Sequence, residues 1–141
     1  MTQPTNDEMT QFLTQVKTIA VVGLSDDPAR ISYEVAAYLQ AQGYEIVPVN
    51  PNARMVLGRP AKPSLRDVSD EVDVVDVFRK SEAVSDIVDD AIAIGAKGIW
   101  LQLGISDHEA EKRAKDAGLF VVSNRCLMVE HRRLVGYGNA L

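Results

Sequence analysis

"TIAVVGLSDDPARIS", Thr18 to Ser32, is the stretch on which the fold turns. Ile19 to Val22 run without interruption into Gly23. An unbroken apolar run reads as a strand covered on both faces, as in parallel sheets. Gly23 lets the backbone turn sharply and approach a ligand with no Cβ in the way. An apolar stripe at Val35, Tyr38 and Leu39 then predicts a helix from about Ser32 to Gln42, with Ser32 as N-cap and Gly43 as its stop. Strand, turn and helix in this order present free N–H groups and the positive end of a helix dipole to an anion. Ser25 and Ser32 add hydroxyl donors, and Arg30 adds a bidentate phosphate ligand. A plain connecting loop reads the same residues equally well, because a lone glycine is weak evidence.

Outward from this stretch the pattern repeats. Thr5 or Asn6 caps a short helix reaching about Val16, with Phe12, Leu13 and Val16 on one face, and residues 1–5 are expected to fray. "YEIVPVNP" is a second strand, closed by Pro51. Val56 and Leu57 make a short edge strand before an irregular turn with Gly58, Pro60 and Pro63. "VDVVDVF" (Val72–Phe78), "KGIWLQLG" and "LFVV" are further strands. Val84, Ile87, Val88, Ala91 and Ile92 form a helical stripe stopped by Gly95. Ser106 and Glu109 form a capping box for a helix ending near Ala117, and "CLMVEHRRL" is a terminal helix.

Strands alternating with helices predict a three-layer, Rossmann-like α/β fold, with a five-stranded, mainly parallel sheet in the order 3-2-1-4-5. The first strand and Val72–Phe78 then flank the topological switch point, where ligands bind at the carboxyl ends of the strands. Gly23–Ser32, Asn50–Pro51, Phe78–Arg79 and Gln102–Gly104 converge on that crevice.

Bulk properties narrow the partners. The 141 residues fit one domain. A net charge of −5 argues against nucleic acid and against an anionic membrane surface. No apolar run approaches the roughly 20 residues of a membrane helix. The N-terminus is polar and acidic, unlike a signal peptide. One cysteine, Cys126, permits no internal disulfide and fits a reducing cytoplasm.

An NAD site conflicts with the residues. The turn reads Gly23-Leu24-Ser25-Asp26-Asp27-Pro28, without the G-x-G-x-x-G fingerprint, and Asn50 stands where an acidic residue would hold a ribose hydroxyl. A neutral Asn tolerates a phosphorylated ribose that a carboxylate would repel. Cys126 and Trp100 read as buried, Asp73 and Asp76 as structural, His108 and His131 as solvated. No His, Cys and carboxylate group has metal-ligand spacing.

"IAVVGLSDDPARISYEVAAYLQAQGYEIVPVNPNARMVLGRPAKPSL", "VDVVDVFRKSEAV", "IWLQLGI" and "AGLFVVSNRCLMVEH" together resemble the small stand-alone CoA-binding domain family, from about Gln11 to Leu134. The same Rossmann-like domain forms the N-terminal part of the succinyl-CoA synthetase alpha subunit. The resemblance implies a coenzyme A or acyl-CoA ligand. It places Gly23, Leu24, Ser25, Arg30 and Ser32 at the phosphates and Asn50 and Pro51 near the adenosine. Phe78 and Arg79 then end the strand facing that loop, with Gln102 and Gly104 beyond. Asp26 or Asp27 stands where the family often has a basic residue, and Asn124 stands where Asp is expected. The expected function is a non-catalytic CoA-binding module. The rivals are an NAD(P)-linked or other nucleotide-dependent enzyme, and an interaction domain with a vestigial crevice.

Overall fold

A computed structural model describes residues 3–136. The elements are α1 (Asn6–Gln15), β1 (Thr18–Val22), α2 (Ile31–Ala41), β2 (Glu45–Val49), β3 (Met55–Val56), β4 (Arg59–Pro60), β5 (Val74–Val77), α3 (Val84–Ala93), β6 (Gly98–Leu101), α4 (His108–Asp116), β7 (Phe120–Val122) and α5 (Leu127–His131). A π-helical turn, Arg132–Gly136, follows α5. The main sheet runs β2-β1-β5-β6-β7, and every neighbouring pair is parallel.

This is the 3-2-1-4-5 pattern. β2, β1, β5 and β6 stand as strands two, one, four and five, and β7 extends the far edge. The third place, outside β2, is taken by the segment that follows the β3–β4 hairpin, where Lys62 makes one parallel bridge to Val49. The chain order reverses between β1 and β5, so the switch point lies there.

Successive strand residues serve opposite cores. Ile19, Val21, Val74 and Trp100 pack with Met9, Leu13, Val35, Leu39 and Leu127 on the side of α1, α2 and α5. Ala20, Val22, Val75, Val77 and Ile99 pack with Ile87, Val88, Ala110 and Ala114 on the side of α3 and α4. Both faces of the sheet are therefore dry, which is why its strands read as continuous apolar runs.

Several local expectations are corrected. The backbone N-cap of α2 is Arg30, which makes no side-chain cap bond, and Ser32 lies inside the first turn. The Ser32 Oγ instead accepts from the Ser25 N–H at 3.0 Å. α4 is capped by Asp107, which accepts from the Ala110 N–H, while Glu111 accepts from the Asp107 N–H. Ser106 lies one residue before the cap, and its N–H donates to Ser81 Oγ. Thr5, not Asn6, caps α1, in a reciprocal box with Glu8. Residues 1–2 lie outside the described residues, but Gln3 is tied down: its amide donates to the Ser123 carbonyl and accepts from the Ser123 N–H.

His131 is buried rather than solvated. It hydrogen-bonds Tyr38 at 2.8 Å, and burial holds its imidazole below the ordinary value. Asp73 is structural as expected. Burial pushes its carboxyl up, but the N–H groups of Thr18 and Lys17 and the Lys97 ammonium outweigh that and hold it low. Asp76, in register with Val21 and Trp100 on the α1–α2–α5 side, has neither carboxyl oxygen hydrogen-bonded. Burial alone pushes that carboxyl well above its ordinary value, which favours its neutral form.

Candidate functional site

Gly23 stands where three strand ends meet. Its N–H donates to Val49 at the end of β2, and its φ of +88° lies in the region that favours glycine. A Cβ placed there would lie 2.7 Å from the Phe78 carbonyl oxygen, beyond β5. The glycine is thus required by the close passage of β5, whatever ligand comes near.

The loop after Gly23 is organised by its own polar groups. Ser25 Oγ accepts from the Asp27 N–H, and Asp27 Oδ1 accepts from the Ala29 N–H. Asp27 therefore shapes the loop. The first turn of α2 carries no side-chain cap, so its N–H groups are open to an anion.

Four cavities adjoin at this end of the sheet; one, lined by Phe78, Arg79, Lys80, Glu82 and Ala83, overlaps the largest, and the other three are joined to one another. Of these three, one, about 280 Å³, is lined by Gly23, Ser25, Arg30, Ile31, Ser32 and Phe78. A second, about 240 Å³, lies against Gly23, Pro51, Pro63, Leu65, Arg79 and Ile87. The largest, a cleft of about 710 Å³, runs from Ile31, Phe78 and Arg79 past Gln102 and Gly104 to Cys126 and Val129. Ile31 and Phe78 are shared by the first and third, Arg79 by the second and third, and Gly23 by the first and second. Among the described residues Arg30, Arg79 and Lys80 make no ion pair. The crevice is of mixed charge: these three cations share its lining with Glu82, Asp86 and Asp90.

Two sequence-selected residues stand apart. The Leu24 side chain is fully buried in the core. Asn50 lines none of the three cavities. Its Nδ2 donates to the Leu24 carbonyl and its Oδ1 accepts from the Asn52 N–H, so it ties the ends of β1 and β2 together. Two others line the cleft but also serve the fold. Gln102 is buried, and its Oε1 accepts from the Leu127 N–H, capping α5. Gly104 adopts φ +80°, and its N–H donates to Asn124 Oδ1 at 2.7 Å. Asn124 itself sits at φ +55°, a conformation that Asn tolerates well.

The sequence reading did not select Ile31, Lys80, Leu103 or Val129, which line the cleft. Their only signal is apolar or basic character in loops and at helix starts, and that is common on any surface.

A parallel sheet of this order, covered by helices on both faces and with its switch point between β1 and β5, defines a Rossmann-like fold. Comparison with known proteins narrows the class. The chain belongs to the CoA binding domain family, whose sequence pattern matches residues 17–132. It is 38% identical over 131 residues to the uncharacterised protein YneT of Bacillus subtilis, covering 93% of this chain and 97% of that protein. A solved structure from Thermus thermophilus superposes with a TM-score of 0.89 at 44% identity, covering 93% of this chain and 99% of that one. An ADP-forming acetate–CoA ligase II of Archaeoglobus fulgidus is 30% identical over 101 residues, but the match covers only 15% of the ligase. Among the described residues no helix is long and apolar enough to cross a membrane.

Proposed function

We propose that this chain binds coenzyme A or an acyl-CoA at the crevice and acts as a binding module rather than a catalyst. One observation carries the reading: the three cavities form one track, joined at Gly23, Ile31, Phe78 and Arg79. The cavity at the uncapped α2 N-terminus, with Arg30, suits a pyrophosphate. The smaller cavity, with Pro51, Pro63, Leu65 and Ile87, suits a flat base. The long cleft suits the pantetheine arm and what it carries. Family membership supports the same ligand.

The non-catalytic part rests on the composition of the crevice. No histidine lines any of the three cavities, and His131 is engaged with Tyr38 elsewhere. Cys126 is buried with no base bonded to it among the described residues. A nucleophile needs a base within hydrogen-bond reach. The ligase activity in the name of the Archaeoglobus relative belongs to a much longer protein.

Calorimetric titration with CoA, NAD and ATP tests the reading. CoA should bind best. NAD binding clearly tighter than CoA would overturn the ligand, and no binding by any of them would leave the crevice vestigial.

A further inference from the structure

Large apolar side chains left in water are usually scattered over a surface. Here they converge. Ile31, Met55, Leu103 and Val129 are the exposed large hydrophobics among the described residues, 58%, 59%, 66% and 48% exposed. Three of these four line the 710 Å³ cleft. They come from three separate places in the chain: the first residue of α2, the loop after β6, and α5.

The two walls of the cleft differ. The segment Arg79–Glu82 brings a guanidinium, an ammonium, a hydroxyl and a carboxylate. Leu103 and Ile105 after β6, and Met128 and Val129 on α5, bring none, with the Cys126 thiol beside them. Nearby, Gln102 Oε1 already accepts from the Leu127 N–H and the Gly104 N–H already donates to Asn124 Oδ1. A pantetheine arm, with its two amides, matches the polar wall. Its gem-dimethyl group and two short ethylene links are small beside a surface of four large apolar side chains. The volume is that of a site for a whole small ligand, within the usual range of about 300–1,000 Å³.

We infer that the apolar wall of this cleft receives the acyl chain of an acyl-CoA thioester, making the protein selective for acyl-CoA over free CoA. This rests on the CoA reading above. The cleft meets the proposed pyrophosphate cavity at Ile31 and Phe78, so a ligand anchored there extends directly into it. Chain length then sets affinity. A fully buried methylene is worth about 0.8 kcal/mol, or roughly fourfold in affinity. The cleft is open to solvent along one side. About half of that, near twofold per methylene, is the working value.

The test is calorimetric titration of the whole chain with CoA, acetyl-CoA and hexanoyl-CoA. Four added methylenes should tighten hexanoyl-CoA over acetyl-CoA by about tenfold or more. The double variant Leu103→Ser, Val129→Ser should bring that ratio close to one. Both side chains are exposed, so folding does not hang on them. Equal affinity for all three ligands in the wild type would overturn the acyl assignment and leave the CoA reading standing. Failure of every CoA species to bind would overturn both. A wild-type dimer turned monomeric by the double variant, with no chain-length effect, would assign the wall to a second copy and overturn the acyl site.

Discussion

Gly23→Ala separates two roles for the residue that marks the nucleotide loop. Its φ of +88° costs a side-chain-bearing residue about 1–2 kcal/mol. The added methyl would also sit 2.7 Å from the Phe78 carbonyl oxygen, inside any real contact distance. The clashing atom is backbone, not the end of a flexible side chain, so relief requires the chain itself to shift. Overpacking of this kind costs about 1–3 kcal/mol, so the total loss should be about 2–5 kcal/mol. Gly118→Ala is the control. Its φ is +93°, but nothing lies within 4 Å of its absent Cβ. It should lose only the conformational share, about 1–2 kcal/mol. Urea unfolding of both variants without ligand, analysed by linear extrapolation, measures the difference. Equal losses would refute the claim that Gly23 is fixed by the passage of β5, and would return it to a role in ligand approach alone.

Other expected outcomes follow from particular contacts. Burial pushes the Asp76 carboxyl well above its ordinary value in the folded chain, so the folded state holds that proton more tightly than the unfolded state and stability falls as pH rises above about 4. Asp76→Asn should lessen that fall, and wild-type and variant urea midpoints that shift in parallel as pH rises above about 4 would contradict a raised buried carboxyl. Asn50→Asp replaces the amide donor facing the Leu24 carbonyl with an acceptor. It should cost about 1–3 kcal/mol of stability and weaken CoA and dephospho-CoA alike; a loss confined to CoA would place residue 50 beside the ribose phosphate. Arg30→Ala and Arg79→Ala should each weaken CoA binding by about 1.5–3 kcal/mol in calorimetry, and an unchanged affinity would remove that arginine from the site.

The frame of the fold was legible because its strands are dry on both faces. Ile19–Val22 and Val74–Val77 divide residue by residue between two cores, so no polar residue had to interrupt them except Asp76, whose carboxyl burial pushes up. The ends of α2 and α4 were less legible. Ser32 and Ser106 are good caps by type, but each hydroxyl or N–H was claimed by a partner distant in sequence or across a loop, Ser25 in one case and Ser81 in the other. The same competition separates the selected site residues. Asn50 and Leu24 are ligands by pattern, yet one braces the loop and the other fills the core. The burial of His131 was invisible because its partner Tyr38 is 93 residues away. The apolar wall was hidden for a related reason: Leu103 and Val129 converge only when β6 and α5 are brought together.

The most direct measurement is the perturbation of amide resonances in ¹⁵N-labelled protein on titration with CoA. Shifts should concentrate at Ser25–Ser32, Phe78–Ser81 and Gln102–Gly104, the segments that line the joined cavities. Shifts centred instead on the cavity at the opposite end of the sheet, around Lys17, Tyr44 and His131, or no saturable shifts at all, would contradict the crevice as the CoA site.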